Sequence, residues 1–218
     1  PPEKLSIKCE TIEVVRNGKK KPMELASDRE NWYAYKTSAL LMLKNYEECR
    51  LLSKKALESF SKFHYSNDAW FARKIALSEK SLGKTDEALQ ELLKVLKKKN
   101  DWYIQKEIAD LYLEKDDLEN AFKYSMEAIN NSGDLEYKIG LLELIGDILK
   151  LKKEEELSYK HYMLAKVLRD NKGWKINYSL NEKIKKFSSE INKIENFENL
   201  KSDLLNYWKK FKSETSQN

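Results

Sequence analysis

Acid–base, nucleophilic or metal chemistry in this chain would have to start from His64, His161, Cys9, Cys49 or the run Glu154-Glu155-Glu156. Their spacing argues against all three. His64 falls in a loop with no acidic sequence neighbour and no nucleophile motif. His161 falls in a predicted helix beside Tyr162, on its solvated side. Each reads as a satisfied or exposed histidine rather than a base or a ligand. The three glutamates stand at a predicted helix start, where carboxylates complement the positive end of the helix dipole. The chain has two cysteines in all, and Cys49 stands where packing wants a small side chain. Both read as reduced thiols of a cytosolic protein. No H-E-x-x-H, no paired C-x-x-C and no glycine-rich phosphate loop is present. The chain is therefore expected to be non-enzymatic, with no cofactor and no metal, and cytoplasmic. What remains is recognition chemistry, and that depends on which side chains the fold lines up.

The elements that would do so are written in a repeat of small residues. Thr37, Cys49 and Ala56 are spaced by twelve and then seven, and so are Ala76, Ala88 and Val95. The same spacing recurs in Ala109, Ala121 and Ala128, and in Gly146, Ser158 and Ala165. Twelve residues is about one helix plus a turn, and missing bulk is needed where two helix backbones approach. The pattern predicts stacked antiparallel helix pairs. Asn45, Gly83, Asp116-Asp117 and Lys152-Lys153 punctuate the pairs, and Gly133 closes the third. Ser27 and Glu30 have capping-box spacing ahead of the first helix. Thr85 is placed to cap the second helix of the second pair. From residue 23 onward there is no proline, which favours an all-α body.

Composition agrees. Charged residues are 35% and hydrophobic ones 41%, a balance suited to thin helical layers with much solvated face. Apolar residues recurring at helical intervals exclude a disordered chain. No apolar run approaches the about 18 residues of a spanning helix, so no membrane partner is expected. The net charge of +5 is uneven. Residues 1–66 carry +4 and 67–100 carry +3, whereas 101–133 carry −5, 134–173 are neutral and 174–218 carry +3. A nucleic-acid binder usually has one continuous basic face, and here an acidic stretch interrupts it. The opening Pro1-Pro2, without Met, reads as a fragment or a processed product.

Both ends differ from the middle. In residues 1–26, Leu5, Ile7 and Cys9 alternate, Ile12, Val14 and Val15 follow, and Asn17-Gly18 is a two-residue turn signal. A small hairpin is expected, and it would need the helical body, or a domain upstream of it, to lean on. Over residues 174–218, Leu180, Ile184, Phe187, Ile191 and Ile194 lead into Phe197, Leu200, Leu204, Tyr207 and Phe211. This stripe fits one long capping helix, two helices broken near 192–199, or a coiled-coil seam for a homodimer.

The repeat pattern is clearest in Ile108-Ala109, Tyr112, Ala121 and Ala128, and again in Ile145-Gly146, Leu149, Ser158, Tyr162 and Ala165. On these residues the chain resembles the tetratricopeptide repeat family, whose unit is about 34 residues. The resemblance covers about residues 28–170. Lys36-Thr37 departs from the apolar-small pair, and no unit carries the family's proline after its second helix. The resemblance implies a right-handed superhelical array of four antiparallel helix pairs over 27–173, flanked by an extended segment (1–26) and a capping region (174–218). It also implies an inner groove lined by the first helix of each pair. Counted from the small residues, the groove side chains are Asn31, Ala34 and Ser38, then Trp70, Arg73, Lys74 and Leu77. Tyr103, Lys106, Glu107 and Asp110 follow, then Glu143 and Asp147. Such a groove passes from basic to acidic. Its expected occupant is a protein segment, anchored on Trp70 and Tyr103 and selected by charge. Leu77 and Asp110 stand where the subset that grips C-terminal carboxylates has amide side chains, so that specificity is not expected. The alternative is a scaffold for nucleic acid, or an arm of a longer nucleic-acid-binding protein. Lys97-Lys98-Lys99 and the C-terminal lysines motivate it.

Overall fold

The computed structural model describes residues 1–16, 18–175, 178–187 and 197–212. Two compact units divide the chain, residues 1–99 and 100–218.

In the first unit a two-stranded hairpin, β1 (Thr11–Arg16) and β2 (Lys19–Glu24), precedes four helices: α1 (Asp28–Met42), α2 (Tyr46–Ser59), α3 (Asn67–Ser81) and α4 (Thr85–Lys98). The hairpin pairs Arg16 with Lys19 across a two-residue turn, and Gly18 has φ +73° there. That backbone is what a glycine at the second turn position supplies. The segment ahead of it is tied to α1. Arg29 donates from Nη2 to the Leu5 carbonyl at 2.9 Å, and its backbone N–H donates to Ser6 O at 3.1 Å. Packing of α1 to α3 centres on Tyr33, Ala56 and Phe71. Edge-to-face aromatic contacts run from Tyr33 through Phe60 and Phe63 to Phe71, with centroids 6.0, 5.7 and 6.1 Å apart.

In the second unit come α5 (Trp102–Glu114), α6 (Leu118–Asn130), α7 (Ile139–Leu151), α8 (Glu155–Asn171), α9 (Tyr178–Lys185) and α10 (Phe197–Lys209). Its core joins Ile139, Leu142, Ile145 and Leu149 of α7 to Tyr159, Tyr162 and Leu168 of α8. Leu180 of α9 and Leu200, Leu204 and Trp208 of α10 complete it. The described residues of the C-terminal stripe lie in two helices, α9 ending at Lys185 and α10 beginning at Phe197. Both cap the last pair. Leu200, Leu204 and Trp208 of α10 are buried, and the helix packs on α6 and α8. Ile191 and Ile194 lie outside the described residues.

The four pairs α1–α2, α3–α4, α5–α6 and α7–α8 are those written in the small-residue repeat. Eleven of its twelve positions are at most 2% exposed, and Gly146 is buried as well. Two crossings add a hydrogen bond at the same place. Cys49 Sγ donates to Thr37 O at 3.3 Å, and Ser158 Oγ to Gly146 O at 2.8 Å. Each pair turns through one left-handed residue, Lys44, Gly83, Asp116 or Lys153. The N–H that follows reaches back to the helix end: Asn45 to Leu40 O, Lys84 to Glu79 O, Asp117 to Tyr112 O and Glu154 to Leu149 O, at 2.8–2.9 Å. This is the closure that satisfies orphan carbonyls at a helix C-terminus.

Two capping expectations are corrected. Ser27 Oγ does accept from Glu30 N at 3.2 Å. Glu30, however, does not turn back on Ser27, because its carboxylate is engaged by the loop before α3. Lys84, not Thr85, is the N-cap of α4. Among the described residues no helix is long and apolar enough to cross a membrane.

Candidate partner-binding surface

In the first unit the surface begins with Asn31 on α1, half-buried, whose amide donates to Ala26 O at 3.1 Å. Beside it an open cleft of about 810 Å³ separates the N-terminal segment from α1. Lys8, Glu10, Asp28, Asn31, Tyr35 and Tyr65 are among its walls. Tyr35 and Tyr65 are 76% and 53% exposed. These phenol rings supply apolar area with a polar tip, which suits recognition more than core packing. Of these wall residues only Asn31 was legible in the sequence. The rest required knowing that residues 6–11 lie against α1.

On α3, Trp70 and Arg73 form a cation–π pair with the guanidinium carbon 5.5 Å from the ring centroid. Lys99 approaches the same ring at 5.6 Å. Lys74 is different. It is 8% exposed, and its Nζ donates to Ala34 O at 3.0 Å and Thr37 Oγ1 at 2.9 Å. Burial brings its pKa down to about 8, with Arg73 adding repulsion. Lys74 thus fastens α3 to α1, and its charge is not offered to solvent.

The second unit places its set on α5 and α7. Tyr103 donates to Asp101 at 2.6 Å, and Lys106 pairs with Asp110 at 2.7 Å one helical turn on. A Cβ at Gly140 would stand 3.6 Å from Lys106 Cε, so the α5 lysine lies along α7. Glu107 is half-buried on the same helix. On α7, Glu143 pairs with Arg169 of α8 at 3.2 Å. Asp147 accepts from the Tyr162 hydroxyl at 2.6 Å and is paired with Lys183 of α9 at 2.7 Å. Burial, then the Asp147 carboxylate, pushes the Tyr162 phenol far above its ordinary value. Asp147 is thereby tied to the capping helix while part of its carboxylate still meets solvent.

The histidines sit elsewhere than the sequence suggested. His161 is fully buried rather than on a solvated side. Its Nδ1–H donates to Leu157 O at 2.7 Å, and its Nε2 accepts from Trp208 Nε1 at 2.9 Å. Desolvation lowers its pKa to about 4, so it is a neutral strut between α8 and α10. The expected acid-free setting of His64 is also corrected. Glu30, 1% exposed, accepts from the His64 backbone N–H, from His64 Nδ1 and from Asn67 Nδ2, each at 2.8 Å.

No protein-family model and no curated protein matches the chain. Solved structures do. PilF of Pseudomonas aeruginosa superposes with a TM-score of 0.58 at 15% identity, over 84% of this chain and 72% of that one. PlcR of Bacillus thuringiensis, solved with the peptide PapR7 and DNA, gives 0.58 at 16%, over 84% and 69%. The nearly identical TPR-like repeats of a Podosopora anserina kinesin light chain give 0.57 at 9%, over 87% and 97%. Identities this low establish likeness of fold alone. The small-residue crossings, the recurring left-handed turns and these counterparts lead to one conclusion: the chain is built on the tetratricopeptide-repeat fold.

Proposed function

We propose that this chain is a non-enzymatic scaffold that binds a segment of a partner protein on the surface of its first helices. The observation that carries the reading is the cleft beside α1. It is large enough for several side chains, walled by exposed tyrosines and charges of both signs, and open to solvent. Within the same unit, Trp70 with Arg73 on α3 offers similar chemistry; in the second unit, taken by itself, Tyr103, Lys106 and Glu107 offer it on α5. PlcR, which is similar in fold, is known in complex with a peptide and DNA, and that likeness supports the reading. Aromatic anchors would supply affinity and the charges selectivity.

A peptide library probed against the chain and against Tyr35→Ala, Tyr65→Ala and Arg73→Glu tests this. Loss of tyrosine anchoring is expected to weaken bound peptides at least tenfold, and Arg73→Glu to shift selection away from acidic sequences. Unchanged affinity in both tyrosine variants would remove the cleft from the mechanism. Lys74 is left intact because its loss would loosen α3 from α1.

The alternative, nucleic acid, is favoured by one fact. The first unit has 21 basic and 14 acidic residues, net +7, while the second is −2. Phosphate contacts predict affinity that falls steeply and linearly on a log–log salt plot. No binding to single- or double-stranded probes at low salt would end that reading.

A further inference from the structure

We propose that Cys9, Glu24 and His64 form a binding site for a thiophilic divalent cation of the zinc class. Three chain segments bring these residues together: the irregular segment leading into β1, the end of β2, and the loop between α2 and α3. Their donor atoms, Sγ, a carboxylate oxygen and an imidazole nitrogen, all lie within 4.8 Å of one another. The nearest pair, His64 Nε2 and Glu24 Oε2, is 3.6 Å apart. Zinc bonds of about 2.0–2.3 Å at tetrahedral angles place ligand atoms about 3.4–3.7 Å from each other. One pair is therefore at ligand spacing, and closing Cys9 onto the same ion asks for about an ångström of side-chain movement.

The imidazole is the second observation. His64 is 8% exposed, and its Nε2 is buried without a hydrogen-bond partner. A buried polar atom so placed costs stability unless something satisfies it. The cause of its orientation is plain. The Glu30 carboxylate accepts from Nδ1 at 2.8 Å, which leaves Nε2 directed at Cys9 and Glu24 and, in the neutral imidazole a metal binds, puts the lone pair there. A carboxylate behind a histidine, fixing tautomer and ring direction, is the usual second shell of a metal-bound imidazole. Two successive left-handed residues, Tyr65 and Ser66, shape the loop that holds His64 there. Thiolate, imidazole and carboxylate together suit zinc, with water in the fourth position. Glu24 now pairs with the exposed ammonium of Lys62, and the cation would displace it. Among the described residues, Cys9 Sγ makes a long contact, 4.0 Å, to Ile7 O. On binding, the thiol gives up its proton to solvent, so uptake strengthens with pH. The ion would clamp the N-terminal segment and hairpin to the helices.

The test uses the full chain, stripped with a chelator and reloaded with zinc or cobalt(II). One zinc per chain is expected to survive gel filtration, with a rise in melting temperature. Cobalt(II) is expected to give a thiolate charge-transfer band in the near ultraviolet. Cys9→Ser should abolish that band and, like Glu24→Gln, weaken zinc at least tenfold while leaving the far-ultraviolet circular dichroism unchanged. Cys49→Ser should retain the band, since Cys49 is buried in the α1–α2 crossing. Failure to retain zinc, or zinc affinity undiminished in Cys9→Ser, would overturn the proposal. A band lost equally in a folded Cys49→Ser would do so too.

Discussion

At the scale of single residues, burial decides what each polar group can do. His161 is the clearest case. Folded, its pKa is about 4 because desolvation penalises the imidazolium; unfolded, the ordinary value is 6.5. Between these values the unfolded chain binds the extra proton, so stability rises with pH there. The contribution is complete above pH 6.5 and is lost progressively as pH falls to 4, up to about 3 kcal/mol. The groups packed around it add little charge: Trp208 donates to it, and Tyr207 lies edge-on at 6.2 Å. Urea unfolding between pH 4 and 7 should show this slope in the wild type. A folded His161→Gln that kept the full slope would show that another group titrates. Gly146 is the second case. A Cβ there would meet Tyr162 Cε1 at 2.5 Å, and the ring is held by its bond to Asp147. Alanine gains about 1 kcal/mol of helix propensity, but overpacking costs about 1–3 kcal/mol. Gly146→Ala is expected to be net destabilising, and Tyr162→Leu in the same chain should relieve the clash. A double-mutant cycle with no coupling between them would refute the explanation.

At the scale of elements, the four turns between paired helices share one backbone path and fill it with three residue types, Lys, Gly and Asp. Gly83 adopts it at no steric cost, whereas Lys44, Asp116 and Lys153 hold φ of 58–64° with a Cβ present. A left-handed residue of this kind costs about 1–2 kcal/mol, partly offset because glycine loses more entropy on folding. Lys44→Gly and Lys153→Gly should therefore each stabilise by about 0.5–1 kcal/mol, read from denaturant midpoints. Gly83→Ala should destabilise by a similar amount, and the opposite sign in either direction would mean the turns relax differently from their present path. The cap formed by α10 follows the same logic of shared work. Leu200, Leu204 and Trp208 recur every four residues and fill the face left by α6 and α8. Asn130 Nδ2 donates to the Trp208 carbonyl at 2.8 Å, which ties the last turn of α10 to α6.

At the scale of the whole molecule, charge is partitioned by unit. The +7 of residues 1–99 against the −2 of residues 100–218 predicts that acidic peptides prefer the first unit. Raising salt from low to physiological levels should weaken acidic peptides and spare neutral ones, because exposed charges are screened beyond about 8 Å at that ionic strength. Asp110→Lys should leave acidic-peptide affinity within about twofold if the first unit carries recognition. A large gain would place recognition on α5 instead. The measurement is a salt-titrated anisotropy series on one peptide pair.

The pairs, their crossings and their turns were readable in the sequence, because they rest on contacts between residues about twelve apart, where spacing alone determines what meets. Thr37 with Cys49 and Gly146 with Ser158 are such contacts. The hairpin was readable for the same reason, its turn being local. What only tertiary structure decided involves partners far along the chain. His161 is buried by Trp208, 47 residues later. His64 acquires an acid from Glu30, 34 residues earlier, and Lys74 is drawn inside by Ala34 and Thr37. A side chain's periodicity says which face of a helix it occupies. Whether that face meets water, a cleft or another helix is settled by folding the chain over it.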